Sequence, residues 1–188
     1  MRTPVRYIHG AALLATGLLA GAFGYGAANV IPTFGAVPLD VRLTFHTTMM
    51  KVNEPVMQSA MALAILTTFG LAIAGRGGPR RLALGAGALT LASLLITVFG
   101  NVPLHAYFRK WAAGPVPDGH AEIFQRWELF HTLRTLTALA AFALIVTVAV
   151  AGRSDGVTLD RRRLIDHAGP AGRNAHELDI SITRTTNP

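Results

Sequence analysis

Cysteine does not occur in the chain, which removes disulfide staples, thiolate nucleophiles and cysteine-ligated metal clusters from the chemistry open to it. Charge is scarce as well, at 14% of residues against about 25% in a soluble domain. Acids are the scarcer sign, 10 against 17 lysines and arginines, for a formal net charge of +7. Common catalytic signatures are also missing: there is no glycine-rich phosphate loop, no Gly-x-Ser-x-Gly and no His-Glu-x-x-His.

What the chain does have is apolar length. Hydrophobic residues make up 51% of it, gathered in four runs at about 9–31, 55–75, 82–100 and 135–152. A hydrocarbon core about 30 Å thick takes roughly 17–25 helical residues to cross, and each run fits that length. None alternates in the ten-residue manner of an outer-membrane barrel, so the backbone is expected to satisfy its hydrogen bonds within helices. The fold class is therefore all-α: a four-helix transmembrane bundle over 1–152 with helical extensions on the outer side, followed by a polar tail at 153–188.

Arginines set the expected orientation. Arg2 and Arg6 precede the first run, Arg76, Arg80 and Arg81 lie between the second and third, and Arg153 and Arg161 to Arg163 follow the fourth. These segments are placed on the cytoplasmic side of the plasma membrane together with both termini. The links around 32–54 and 101–134 carry mixed charge and face outward. Attraction to anionic lipid accounts for the positive charge, and the basic residues form no aromatic-interleaved patch of the kind that binds nucleic acid. The first run also has features of a signal peptide, but it is long for one, since a signal's apolar core is about 7–15 residues. It is expected to be retained, and its ridges at Gly17 and Gly21 and at Ala20, Gly24 and Ala28 suit close helix packing. The tail mixes charge, proline and glycine; it is expected to be disordered, with a short interfacial helix over 159–167 and solvated side chains at His167 and His176.

Chemistry-bearing residues concentrate in the two outer links. DVRLTFHTTMMKVNEP, residues 40–55, has no internal glycine or proline and continues as helix toward the second run, with Pro55 marking a kink or a fresh start. Spacings of four, three and four put Arg42, His46, Met49 and Asn53 on one face. In RWELFHTLRT the spacings of four and three put Trp127, His131 and Arg134 on one face, and Asn101 and His105 stand four apart at the end of the third run. His46, His105 and His131 are thus expected at similar depth around one outward-facing polar pocket. Asn53, Asn101, Trp127 and Trp111 would contact a substrate there, with Trp111 also anchoring the interface at the pocket's mouth. Each also has a plainer reading: Tyr107, Trp111 and Trp127 as an aromatic belt, Arg134 as a snorkelling side chain, single histidines as interfacial groups. His120 lies in a Gly-Pro-rich stretch and reads as a loop residue.

Two mechanisms and one non-enzymatic role fit these residues. In one mechanism a histidine acts as general base on an acidic C–H or phenolic O–H, Arg42 and Arg134 stabilise the anion, and electrons pass to dioxygen without a cofactor. In the other, His46, His105 and His131 bind copper, iron or zinc, with Met49 or Met50 near enough to add a soft ligand for copper. The non-enzymatic role is an accessory subunit or small-molecule binding protein whose polar cluster fixes helix packing. The expected partners are the lipid bilayer, a lipophilic small molecule and a second copy of the chain.

The elements NVPL-His-x-x-Phe-x-x-Trp, Arg-Trp-x-x-x-His-x-Leu-Arg-Thr and the preceding His-to-Asn-Glu-Pro segment resemble the anthrone oxygenase-like family of small four-helix membrane proteins. The resemblance covers residues 11–152. It implies a four-helix membrane protein and, in some members, an oxygenase that turns polyketide anthrones into anthraquinones. The matching positions are Asn53, Asn101, Pro103, Trp127 and Arg134. This chain departs from the pattern at His105 and His131, where asparagine is common; an amide orients a phenol or carbonyl, whereas histidine also takes a proton or binds a metal.

Overall fold

The computed structural model describes the backbone of residues 3–167 and the side chains of residues 5–151. Helices run α1 (Thr3–Tyr25), α2 (Ile31–Ala36), α3 (Leu39–Ala74), α4 (Gly77–Ile96), α5 (Val102–Ala112) and α6 (His120–His167), with π-helical segments at Gly26–Val30 and Thr97–Asn101. The π segments join α1 to α2 and α4 to α5. The result is four helices long and apolar enough to cross a membrane: Val5–Ala36, Leu39–Ala74, Gly77–Ala112 and His120–Ala151. The all-helical bundle expected from hydropathy is the one found, and the chain is an integral membrane protein by that measure.

The spans reach beyond the apolar runs. α3 starts at Leu39 behind Pro38 and passes through Pro55 without a break, so Pro55 is no fresh start. It is tolerated inside the helix at the cost of one backbone bond, because it has no N–H to give the Lys51 carbonyl. The π segments have a related cause. A proline ring crowds the carbonyl four residues earlier. For Pro32 and Pro103 those carbonyls belong to Ala28 and Phe99, each inside a π segment, where the wider turn makes room.

The chain divides into two compact units, Met1–Val148 and Ala149–Pro188. The first holds the bundle and every side chain discussed below. In the second, helix continues to His167, through the segment assigned from sequence to the polar tail. Residues 168–188, and the side chains of His167 and His176, lie outside the described residues.

Within the bundle the core changes character along its length. Near the α3–α4 turn it is built from small residues, with Ala12, Ala72, Ala83, Ala86 and Ala141 packed around Leu71, Ile145 and Val148. A middle layer packs Ala15, Ala20, Ala64 and Ala138 around Leu19, Phe23 and Met61. At the opposite end the core is aromatic, comprising Phe34, Phe108, Trp111, Phe124 and Trp127 with Leu43 and Leu104. The expected small-residue ridges of the first span are used only in part. Gly17 meets Phe142 and Ala20 is buried, whereas Gly21 and Gly24 have open space where a side chain would be. Ala28 is exposed.

Candidate functional site

The aromatic end contains the three histidines picked out from spacing. His46 on α3 is fully buried, and His105 on α5 and His131 on α6 are nearly so. Their rings do not meet at a single point. They form a chain through Trp127: His131 to Trp127 is 5.4 Å between ring centroids, Trp127 to His46 is 4.6 Å, and His46 to His105 is 6.3 Å. Phe34 stacks on His46 at 5.0 Å and Phe108 lies against it at 4.6 Å. Histidines in such surroundings exchange water for ring faces, which satisfies their apolar surface and leaves their nitrogens to be accounted for separately.

That accounting divides the cluster. Arg134 donates from Nη2 to His131 Nδ1 at 2.7 Å, and His131 Nε2 lies 3.3 Å from the Phe23 carbonyl oxygen. A guanidinium only donates, so Nδ1 accepts, and the ring proton belongs on Nε2, where it points to Phe23. His131 is thereby fixed in one tautomer, with both nitrogens engaged. By contrast, neither nitrogen of His46 or His105 has a hydrogen-bond partner in the protein. Trp127 Nε1, Asn101 Oδ1 and Arg134 Nε share that condition. Each such buried group left unmatched costs about 1–3 kcal/mol, so a concentration of them marks a place shaped by something other than stability.

Arg134 is 6% exposed, which rules out the snorkelling expected of an arginine near the edge of an apolar run. Its guanidinium carbon lies 4.5 Å from the Phe23 ring centroid, a cation–π contact. Among the described residues it has no carboxylate partner; the one ion pair found there joins Arg42 to Glu128 at 2.9 Å. Arg42 does share a face of α3 with His46, but its charge is compensated by Glu128 and its guanidinium rests over Phe124 at 3.8 Å. Glu128 escaped the sequence reading because it stands off the Trp127-His131-Arg134 stripe and gains its partner only when α3 packs on α6. The two arginines expected to act alike are therefore different: one is paired, the other holds an unbalanced charge.

A cleft of about 290 Å³ opens beside Arg134, lined mostly by apolar groups including Phe23, Met49, Met57 and Trp127, with Asn53 and His131. Asn53 is thus where its spacing put it. Asn101 instead donates from Nδ2 to the Trp127 carbonyl oxygen at 3.1 Å, tying the end of the third span to α6. Trp111 departs from its expected place at the interface: it is 6% exposed, packed against Phe108 and Phe124, and borders a different cleft with Leu39, Leu43 and Val116. Its helix turns an aromatic face inward, so Tyr107 is the exposed ring there. His120 is the first residue of α6, with Nδ1 2.8 Å from the Pro117 carbonyl oxygen.

The three-histidine metal centre is not assembled. Among the described residues no three His, Asp or Glu side chains are placed to hold one ion. The three rings are strung out through Trp127 and do not surround one point, and the Nδ1 lone pair that His131 would offer a metal is taken by Arg134.

Two glycines position these groups and were missed from sequence. A methyl group on Gly26 would lie 2.9 Å from His131 Cε1 and Nε2, and one on Gly100 would lie 2.6 Å from Phe130 Cγ. Both glycines are buried in the π segments, so each segment brings a bare stretch of backbone against α6. The available signal was a glycine followed within two turns by proline, Gly26 before Pro32 and Gly100 before Pro103.

The family model for anthrone oxygenase matches residues 45–144, which contain His46, Asn53, Asn101, His105, Trp127, His131 and Arg134. No curated protein and no solved structure matches the chain.

Proposed function

The chain belongs to the anthrone oxygenase family, and from that premise we propose that it is an integral membrane oxygenase acting on a lipophilic anthrone or phenolic substrate, without a resident metal. The observation that carries this reading is Arg134: a cation buried without a carboxylate partner, beside an apolar cleft. Such a charge is costly at membrane depth unless it has work to do. Its natural complement is an anion formed during reaction, and preorganised donors aimed at developing charge are the largest single contribution in many enzymes.

The residues divide the work as follows. The substrate's rings occupy the cleft between α1 and α3, against Phe23, Met49, Met57 and Trp127, with its oxygen toward Arg134 and Asn53. His131 does not take the proton, because its free lone pair is committed; it holds Arg134 in place. His46 does not line the cleft, but its nitrogens are uncommitted and its ring lies behind Trp127, which does; we assign it as the base, reached when the substrate displaces the Trp127 ring. Removing a proton from the acidic CH2 leaves an enolate whose electrons add to dioxygen. The peroxide takes the proton back and loses water, so that CH2 and O2 become C=O and H2O. The site is proposed to lie toward the outer face of the plasma membrane, since the arginine-bearing α3–α4 turn is at the other end.

A purely structural network would use its polar groups on one another. The unpartnered nitrogens of His46 and His105 favour chemistry instead. Oxygen uptake by the protein in lipid nanodiscs, with an anthrone as substrate, tests the reading. Uptake with formation of the quinone, lowered about 10²–10³-fold in Arg134→Met, is the expected result. Equal rates with and without protein would sink it.

A further inference from the structure

His105 meets a second opening. It borders a cleft of about 60 Å³ between α3 and α5, together with Thr47, Met50, Lys51, Glu54, Phe108 and Arg109. The contrast with the first cleft is chemical as well as one of size. Three of its seven lining residues are charged, and the carbonyl of Lys51 has no helical donor because Pro55 stands four residues on. A water molecule needs roughly 10–15 Å³ of such space and two or more polar partners. The cleft therefore suits a short file of waters and is too small for an anthrone. Met50 lines both clefts, so one buried side chain divides the apolar opening from the polar one.

Building on the oxygenase reading, we propose that the α3–α5 cleft is a water-side port to the histidine cluster, through which His105 and Glu54 relay the proton that His46 takes from the substrate. The His46 and His105 rings are neighbours, 6.3 Å apart between centroids, and the relay takes one water between their unpartnered nitrogens. In this scheme the proton leaves the substrate carbon, protonates His46, and moves by hydrogen-bond exchange to His105 and then to the waters beside Glu54. The same path returns a proton to the peroxide. Substrate and water thus approach the cluster from different sides: the substrate arrives from the bilayer and never has to cross the charged opening.

The port is tested first without any substrate, by deuterium exchange at the ring carbons of the histidines in the full-length protein in nanodiscs. His105 is expected to exchange from water, and Thr47→Trp, which fills the cleft, is expected to slow it by roughly tenfold or more while His46 stays as protected as before. The unchanged protection of His46 reports that the variant is folded; should it be lost, Thr47→Leu replaces it. Exchange at His105 that is absent in the unaltered protein, or indifferent to the filled cleft, overturns the port. The relay is tested by anaerobic wash-in of deuterium to the anthrone CH2, which Glu54→Gln is expected to slow and Glu54→Asp to restore; wash-in unaffected by Glu54→Gln removes Glu54 from the path. An accessible His105 in a protein that neither oxidises an anthrone nor exchanges its CH2 means that the oxygenase reading and its relay fail and the port stands.

Discussion

The two ends of the bundle solve the same packing problem with opposite means. Near the α3–α4 turn, alanines let the helices approach, and glycines take side chains directly: a methyl on Gly87 would lie 3.0 Å from Phe69, and one on Gly85 would lie 3.2 Å from Leu144. Polar groups there are small and mostly serve their own helix, as when Thr16, Thr68 and Thr90 donate to the carbonyls of Ala12, Ala64 and Gly87, with Thr68 and Thr90 also 3.5 Å apart between α3 and α4. His9 Nε2 is the exception. At the other end rings fill the core, backbone comes close only at the glycines of the two π segments, and unpartnered buried atoms of His46, Asn101, His105, Trp127 and Arg134 collect among the rings. The small-residue end thus holds few polar atoms without partners, while the ring-filled end carries groups that a stable core would exclude.

Replacing residues at each end sharpens that division. The largest effect is expected from Arg134→Met, which keeps side-chain length and apolar packing but removes the charge. Loss of such a donor costs about 10²–10³ in turnover, measured as oxygen uptake with an anthrone, while helicity and assembly stay intact. A loss of assembly with no specific loss of turnover would make Arg134 structural and erase the contrast. At the alanine end, Ile145→Ala leaves a cavity in a fully buried position and is expected to destabilise the bundle by about 2 kcal/mol in a reversible denaturation series. The folded fraction should keep its specific activity.

Gly26→Ala joins the two ends. Its methyl meets the imidazole of His131, so overpacking of about 1–3 kcal/mol is expected, together with a disturbed Arg134 and reduced turnover. Gly21→Ala enters open space and should change neither quantity; equal behaviour of the two variants would mean that the close approach of the π segment has no functional weight. The smallest effect belongs to Arg42 and Glu128. Their side chains are 11% and 33% exposed, and a double-mutant cycle in stability should give a coupling near the exposed-pair range of about 0.2–1 kcal/mol. A coupling several times larger would show that Arg42 is as isolated from solvent as Arg134.

Much of the architecture can be read from the order of residues alone. Hydropathy and length suffice for four spanning helices, because in a bilayer each helix satisfies its own backbone and needs no knowledge of its neighbours. Helical spacing likewise places Arg42, His46 and Asn53 on one face of α3, and Trp127, His131 and Arg134 on one face of α6. Spacing does not say which neighbour those faces meet. The bond from Arg134 to His131 joins residues three apart on α6, but that His131 also meets the Phe23 carbonyl while His46 and His105 keep free nitrogens depends on how α1, α3, α5 and α6 come together, as does the pairing of Arg42 with a glutamate 86 positions away. Trp111 shows the same limit, since an aromatic residue near a span end is equally suited to the interface and to a ring-lined core. The spans and the faces follow from local periodicity and backbone hydrogen bonding, both of which are legible in the order of residues. Which polar groups find a partner on another helix, and which are left free for chemistry, follows only from the packed bundle, because those contacts are set by distances between helices.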